Sequence, residues 1–268
     1  FSNLIFKGVG RHPKTGKKKG GIKVHTVIQA NEGVPSDIKF TSAATNDSFM
    51  LKPSSLNKGD IVAMDRAYLD YGKFEELTRI GVIYVTKMKK RLKYSIQEDM
   101  MYQTPDGLME VRLQKVIFTK EQPNKETITH QARIITYPDV AKCKLISLLT
   151  NDMDTDPSEI IAIYRQRWAI EMLFKQIKQN FPLKYFYGES ANAIKIQIWV
   201  TLIANLLLMV MQRSLKRSWS FSGLATMVRI TLMYYVDFYS LFNHPEKDWE
   251  TRLKATAESP PMQLAFFD

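Results

Sequence analysis

Residues 59–90 read "GDIVAMDRAYLDYGKFEELTRIGVIYVTKMKK", and this stretch decides the fold. Ile61–Met64 is an apolar run of strand length, bounded by Gly59 before it and by Asp65 and Arg66 after it. Over 71–80 the apolar residues Phe74, Leu77 and Ile80 return at helical spacing. "GVIYVTKMK" is rich in β-branched residues and predicts another strand. A strand–helix–strand unit of this size predicts two parallel strands, with the helix crossing one face of their sheet.

Upstream, "GIKVHTVIQA" (21–30) alternates as a strand, and "DIKFTSA" (37–43) predicts its partner after the turn at "NEGVPS". Before them, 7–20 is a glycine-rich loop with five lysines, among them Lys17, Lys18 and Lys19. Such a loop suits a phosphate backbone, or is simply solvated. Downstream, 92–150 changes texture. Short β-like runs separated by turn signals predict a mostly β insertion rather than more of the α/β layer. From Pro157 the spacing predicts helices over 158–180, 190–214 and 221–240. The organisation read from this is a first part of an α/β core (1–91), the β-rich insertion (92–150), a helical second part of the core (151–243) and a tail (244–268).

The chain has 38 Lys+Arg against 27 Asp+Glu, a formal charge of +11, which favours a polyanionic partner. A single cysteine, Cys143, excludes an internal disulfide framework and a cysteine-built zinc site; a lone thiol in a reducing compartment reads as a small core residue. The longest apolar run, 196–211, is shorter than the roughly 20 residues of a bilayer span and contains Gln197, Thr201 and Asn205. It predicts a core helix, and a cytoplasmic chain with no membrane partner.

Two places carry candidate chemistry. Asp65 ends a strand, where functional groups of α/β folds gather, although an aspartate there also caps turns. In 163–180, "IYRQRWAIEMLFKQIKQN", Tyr164, Arg167, Glu171, Lys175 and Lys178 fall along one polar stripe over about four helical turns. A glutamate on such a stripe can meet a strand-end aspartate across a cleft. Two divalent ions clamped by carboxylates cleave and transfer phosphodiesters, with basic neighbours gripping the backbone. The plainer reading is a solvated helix with i,i+4 ion pairs, each worth about 0.2–0.5 kcal/mol. His25 reads as structural, as do Trp199 and the aromatics at 185–187. Trp168, near the stripe, is the exception.

The spacing Tyr164-x2-Arg167-x3-Glu171-x6-Lys178 resembles the Y-R-E-K signature of DDE transposases of bacterial insertion sequences. "DIVAMDRAYLD" resembles the second-aspartate motif of that branch, and "GKKKGGIKVHT" the stretch that follows its first aspartate. The resemblance covers about residues 5–240. It implies an RNase H-like α/β core, a mixed sheet flanked by helices, with a mostly β insertion before the glutamate helix and a helical C-terminal part. It implies Mg²⁺ (or Mn²⁺) held by Asp65 and Glu171, and DNA strand cleavage at transposon ends followed by strand transfer to target DNA. Tyr164, Arg167 and Lys178 would contact the end phosphates, with Lys175, Arg66, Tyr68 and Lys17–Lys19 also on the DNA. The partners implied are terminal inverted repeats, target DNA and a second copy in a synaptic complex, with the protein nucleoid-associated when bound. No residue before Asp37 is an aspartate, so the expectation is a chain that begins just after the first catalytic aspartate and does not cleave DNA as it stands. The competing expectation is a DNA-binding remnant without chemistry.

Overall fold

In the computed structural model the described residues are 7–11, 18–47, 51–89, 91–105, 107, 109–122, 125–139, 143–181, 183, 185–234 and 237–244. The chain divides into two compact units, 1–171 and 172–268.

The first unit is built on a six-stranded mixed sheet in the order β5-β6-β10-β9-β8-β7. Its first two strands are the expected pair. β5 (Ile61–Met64) and β6 (Ile83–Lys87) run parallel, joined by α1 (Tyr71–Arg79). Asp70 starts α1 by accepting from the amides of Gly72 and Lys73. Gly81 ends it at φ +75°, where a Cβ would also meet the Lys58 side chain at 2.9 Å, and the Val82 amide closes back on the Leu77 carbonyl. That sharp stop turns the chain directly into β6.

The remaining strands come from the β-rich stretch. β10 (Lys144–Thr150) pairs antiparallel with β6, and β9 (Lys125–Asp139), β8 (Glu110–Gln122) and β7 (Ser95–Gln103) follow outward, all antiparallel. The strands expected to stand apart from the α/β layer thus extend its sheet. β3 (Ile22–Gln29) and β4 (Val34–Ser42) form a hairpin, and β1 (Lys7–Arg11) pairs with β2 (Lys18–Gly20). Among the described residues neither pair joins the large sheet.

Strand alternation sorts the core into two faces. On one, Met64, Tyr84, Phe118, Ile134 and Leu149 pack with Phe74 and Leu77 of α1; Phe74 stacks on Tyr84 with ring centroids 4.1 Å apart. On the other, Val85, Leu113, Ile135 and Leu148 pack with Ile160 and Ile161 of α2 (Pro157–Gln166). A mixed sheet flanked by helices is the expected architecture.

The helix predicted over 158–180 is two helices. α2 stops at Gln166 and α3 (Trp168–Asn180) starts at Trp168. At the junction the Arg167 amide reaches back to Tyr164 and that of Ile170 to Arg167, both three residues away, so the four-residue ladder is interrupted.

The second unit holds the rest of α3, α4 (Ala191–Ser214), α5 (Phe221–Thr231) and α6 (Phe238–Asn243). Ser190, Ser220 and Asp237 cap the last three. Leu208, Leu224, Leu241 and Phe242 form its core, and Trp219 donates through Nε1 to the Phe242 carbonyl at 2.7 Å. α4 corrects the expectation of a core helix. Ile194, Ile198, Leu202, Asn205 and Leu208 are buried, while Trp199, Val200, Ile203, Leu207 and Val210 are exposed on the other side. At 24 residues it is long and apolar enough to cross a membrane, yet it buries Thr201 and Asn205 as a protein-packed helix does. The aromatics expected to pack are also exposed: Tyr185 by 78% and Tyr187 by 90%. Cys143, expected in the core, is exposed in a left-handed backbone at φ +47°.

Candidate active site

β5 delivers Asp65 to the carboxyl edge of the sheet. One carboxylate oxygen, Oδ1, accepts from the Ala67 amide at 3.0 Å and so caps the short 3-10 turn Arg66–Tyr68. The capping role and the strand-end position therefore coexist, and Oδ2 remains for another partner. Strand parity sets its direction. Val62 and Met64 belong to the core on the α1 face, which puts Ala63 and Asp65 on the face covered by α2.

α2 brings the other groups to that face. It packs by Ile160, Ile161, Ile163 and Tyr164 against the sheet, and Arg167 follows its last residue as the C-cap. There the guanidinium bridges two acids: Nη2 donates to Glu171 Oε1 at 2.8 Å, and Nη1 stands 4.0 Å from Asp65 Oδ2. The Arg167 side chain is only 17% exposed, whereas those of Asp65 and Glu171 are 51% and 43% exposed. It also lies over the Tyr164 ring, 5.5 Å from the centroid, and its Nε is buried with no partner. Burial works against its charge, but the Glu171 hydrogen bond and Tyr164 outweigh that and hold its pKa above the usual arginine value. Burial likewise pushes the Tyr164 hydroxyl up, with Asp65 adding to the effect. Tyr164, Arg167, Glu171 and Asp65 are thus one cluster.

The remaining candidates divide. Arg66 is exposed beside Asp65. Tyr68 is half-buried, and its hydroxyl lies 3.3 Å from His25 Nδ1, while His25 Nε2 contacts Thr41 Oγ1 at 2.8 Å. The histidine therefore ties the β3–β4 hairpin to the turn that Asp65 caps. Its position on a strand gives no sign of that link, because the partner is 43 residues away. Trp168 is 54% exposed next to Arg167. Lys175 and Lys178 are exposed on the part of α3 that belongs to the second unit. Lys17 lies outside the described residues, and Lys18 and Lys19 are described only as backbone of β2.

Two carboxylates with open oxygens are a donor set suited to a hard cation such as Mg²⁺. Among the described residues no group of three or more His, Cys, Asp or Glu gathers as a metal cage.

Residues 6–207 match the family model described as "Transposase DDE domain". The chain belongs to that family. This transposase domain is 28% identical over 195 residues to "Putative transposase y4zB" of Sinorhizobium fredii, covering 72% of this chain and 54% of that protein. It is 23% identical over 192 residues to "Probable transposase for insertion sequence element IS5377" of Geobacillus stearothermophilus, covering 71% and 49%. The transposase domain spans about half the length of these curated relatives.

Proposed function

We propose that this domain carries the DNA strand cleavage and strand transfer of an insertion-sequence transposase, with Asp65 and Glu171 as ligands of a divalent ion, Mg²⁺ or Mn²⁺. The observation that carries the reading is the single guanidinium of Arg167 reaching both acids, which come from a strand end and a helix 106 positions apart in the chain. Bound there, the ion would supply Lewis-acid polarisation of a phosphoryl oxygen and a reactive oxygen nucleophile at neutral pH.

The protein's own groups do the positioning. Asp65 is fixed by its bond to the Ala67 amide, so one oxygen is oriented toward the α2 face. Arg167, with Tyr164 beneath it, offers a planar fork suited to phosphate oxygens. Lys178, and with it Lys175, adds charge for the backbone of a transposon end, as do Arg66 and Tyr68 beside Asp65 and the basic loop with Lys17–Lys19. The partners on this reading are terminal inverted repeats and target DNA, engaged by two copies of the full transposase in the bacterial cytoplasm.

Loss of the free-ion signal on Mn²⁺ titration, followed by electron paramagnetic resonance, tests it. Asp65→Asn and Glu171→Gln are each expected to weaken Mn²⁺ binding at least tenfold. Unchanged binding in either variant sinks the assignment, and DNA binding without ion binding would leave a remnant that holds DNA but performs no chemistry.

A further inference from the structure

α4 has two faces with the same spacing. Ile194, Ile198, Thr201, Asn205 and Leu208 are buried, whereas Ile196, Val200, Ile203, Leu207 and Val210 are exposed by 52%, 59%, 52%, 59% and 64%. The exposed residues stand 4, 3, 4 and 3 positions apart. Each lies two positions past a member of the buried set, about 200° round the helix. An alternation of 4 and 3 is the repeat of a seam that receives another helix. A straight helix drifts only about 20° per heptad against that repeat, so over 196–210 the five side chains keep one line.

No charge interrupts this line. Lys195 and Arg213 are the charged residues of α4, and both lie outside the seam. Its flanks are Gln197, Trp199, Ala204, Leu206 and Met211. Ions at such flanking positions choose between partners in paired helices. With none here, no charge selects a foreign helix and none repels an identical one. A helix that lies on a lipid surface carries lysines and arginines opposite its apolar stripe, but the opposite face of α4 is closed by protein.

Shape and size agree with a helical partner. Beside Ile196 and Val200 a cleft of about 520 Å³ opens between α4 and Tyr187, with room for a side chain of a facing helix. The five half-exposed side chains and Trp199 offer on the order of 500 Å² of apolar surface, so two copies would close about 1,000 Å², where specific interfaces begin.

We propose that α4 is a self-association face, on which two copies of the chain pair their helices about a two-fold axis with Ile203 at the middle of the seam. A two-fold pairing puts the same patch on both copies, as an uncharged seam allows. The proposed function calls for two copies and leaves open where they meet. The pairing rests on the spacing, exposure and charge of α4, not on the metal assignment.

Sedimentation of the whole chain across about 1–100 μM tests it, because an interface of this size is weak enough to dissociate within that range. The unaltered chain is expected to pass from monomer to dimer. I203E and L207E, at positions already half-exposed, are expected to remain monomeric throughout with unchanged helical circular dichroism. M101E, at a position 59% exposed on β7, is expected to dimerise like the unaltered chain. An unaltered chain that stays monomeric, or a dimer that survives both seam substitutions, overturns the pairing. Cross-linking keeps the test open if the glutamate variants misfold. Cys143 is the one cysteine, so C143S/I203C carries a single thiol at the middle of the seam. A short bismaleimide is expected to join it into a covalent dimer and to leave C143S/I96C, exposed on β7, as monomer. Equal yields in the two overturn the pairing. Mn²⁺ binding on the same preparations separates the two claims. A chain that fails to bind the ion can still dimerise through α4, and a monomeric chain leaves the metal assignment untouched.

Discussion

Arg167 and Glu171 are joined by a 2.8 Å hydrogen bond across the point where α2 ends and α3 begins. The other terminal nitrogen of the same guanidinium stands 4.0 Å from Asp65. A cation sitting beside two acids competes with any metal ion for them. Arg167→Ala is therefore expected to tighten Mn²⁺ binding several-fold while weakening DNA binding about tenfold, the loss of one charge-assisted contact. Both are read by titrating one preparation with ion and with labelled duplex. Weaker Mn²⁺ binding in this variant would mean that the guanidinium organises the acids rather than competing for them.

Tyr68 carries the link between the hairpin and the Asp65 turn. Tyr68→Phe removes the contact to His25 Nδ1 with almost no change of volume. The expected loss is about 0.5–1.5 kcal/mol in urea denaturation. His25→Ala removes the Thr41 contact as well and is expected to cost more.

His130 is buried between Tyr84 and Glu75, with Nε2 2.6 Å from the tyrosine hydroxyl and Nδ1 2.8 Å from Glu75 Oε2. Burial lowers its pKa, and Glu75 only partly opposes that. The unfolded chain thus takes up a proton, near the ordinary histidine pKa of about 6.5, that the folded chain resists. Stability from this group is complete above about pH 6.5 and is lost as the pH falls below it. His25, lowered mainly by burial, adds in the same direction. Urea midpoints are expected to drop between pH 7.5 and 5, and His130→Gln to flatten that dependence. A midpoint that rises on acidification contradicts this.

Asn205 of α4 is 1% exposed and accepts from Gln176 Nε2 at 2.9 Å. Asn205→Ala leaves the amide of Gln176 without that acceptor and is expected to destabilise the second unit by about 1–3 kcal/mol. Thermal melting followed by the helical circular dichroism signal reads it.

Much of this is legible in the chain itself. An apolar run of strand length ending on Asp65, then helical spacing, then a β-branched run leave a parallel pair as the one economical arrangement, and β5, α1 and β6 form it. The cluster around Arg167 is legible only in part. Periodicity at 100° per residue assumes an unbroken helix, and nothing in "YRQRWAIE" marks the interruption, since every residue there tolerates a helix. The placement of the β-rich stretch is hidden for another reason. β10 returns antiparallel to β6 from about 60 positions away, and strand patterning fixes which face is buried but not which edge is joined. The exposed side of α4 escapes because an apolar helix reads alike whether one face or all of it is covered.

The most direct test of the paired acids is a crystal of the chain soaked in Mn²⁺, with data collected at the manganese edge. An anomalous peak is expected within coordination distance of both an Asp65 and a Glu171 carboxylate oxygen, gone in Glu171→Gln. A peak elsewhere, or one that touches Asp65 and survives the Glu171 substitution, contradicts it.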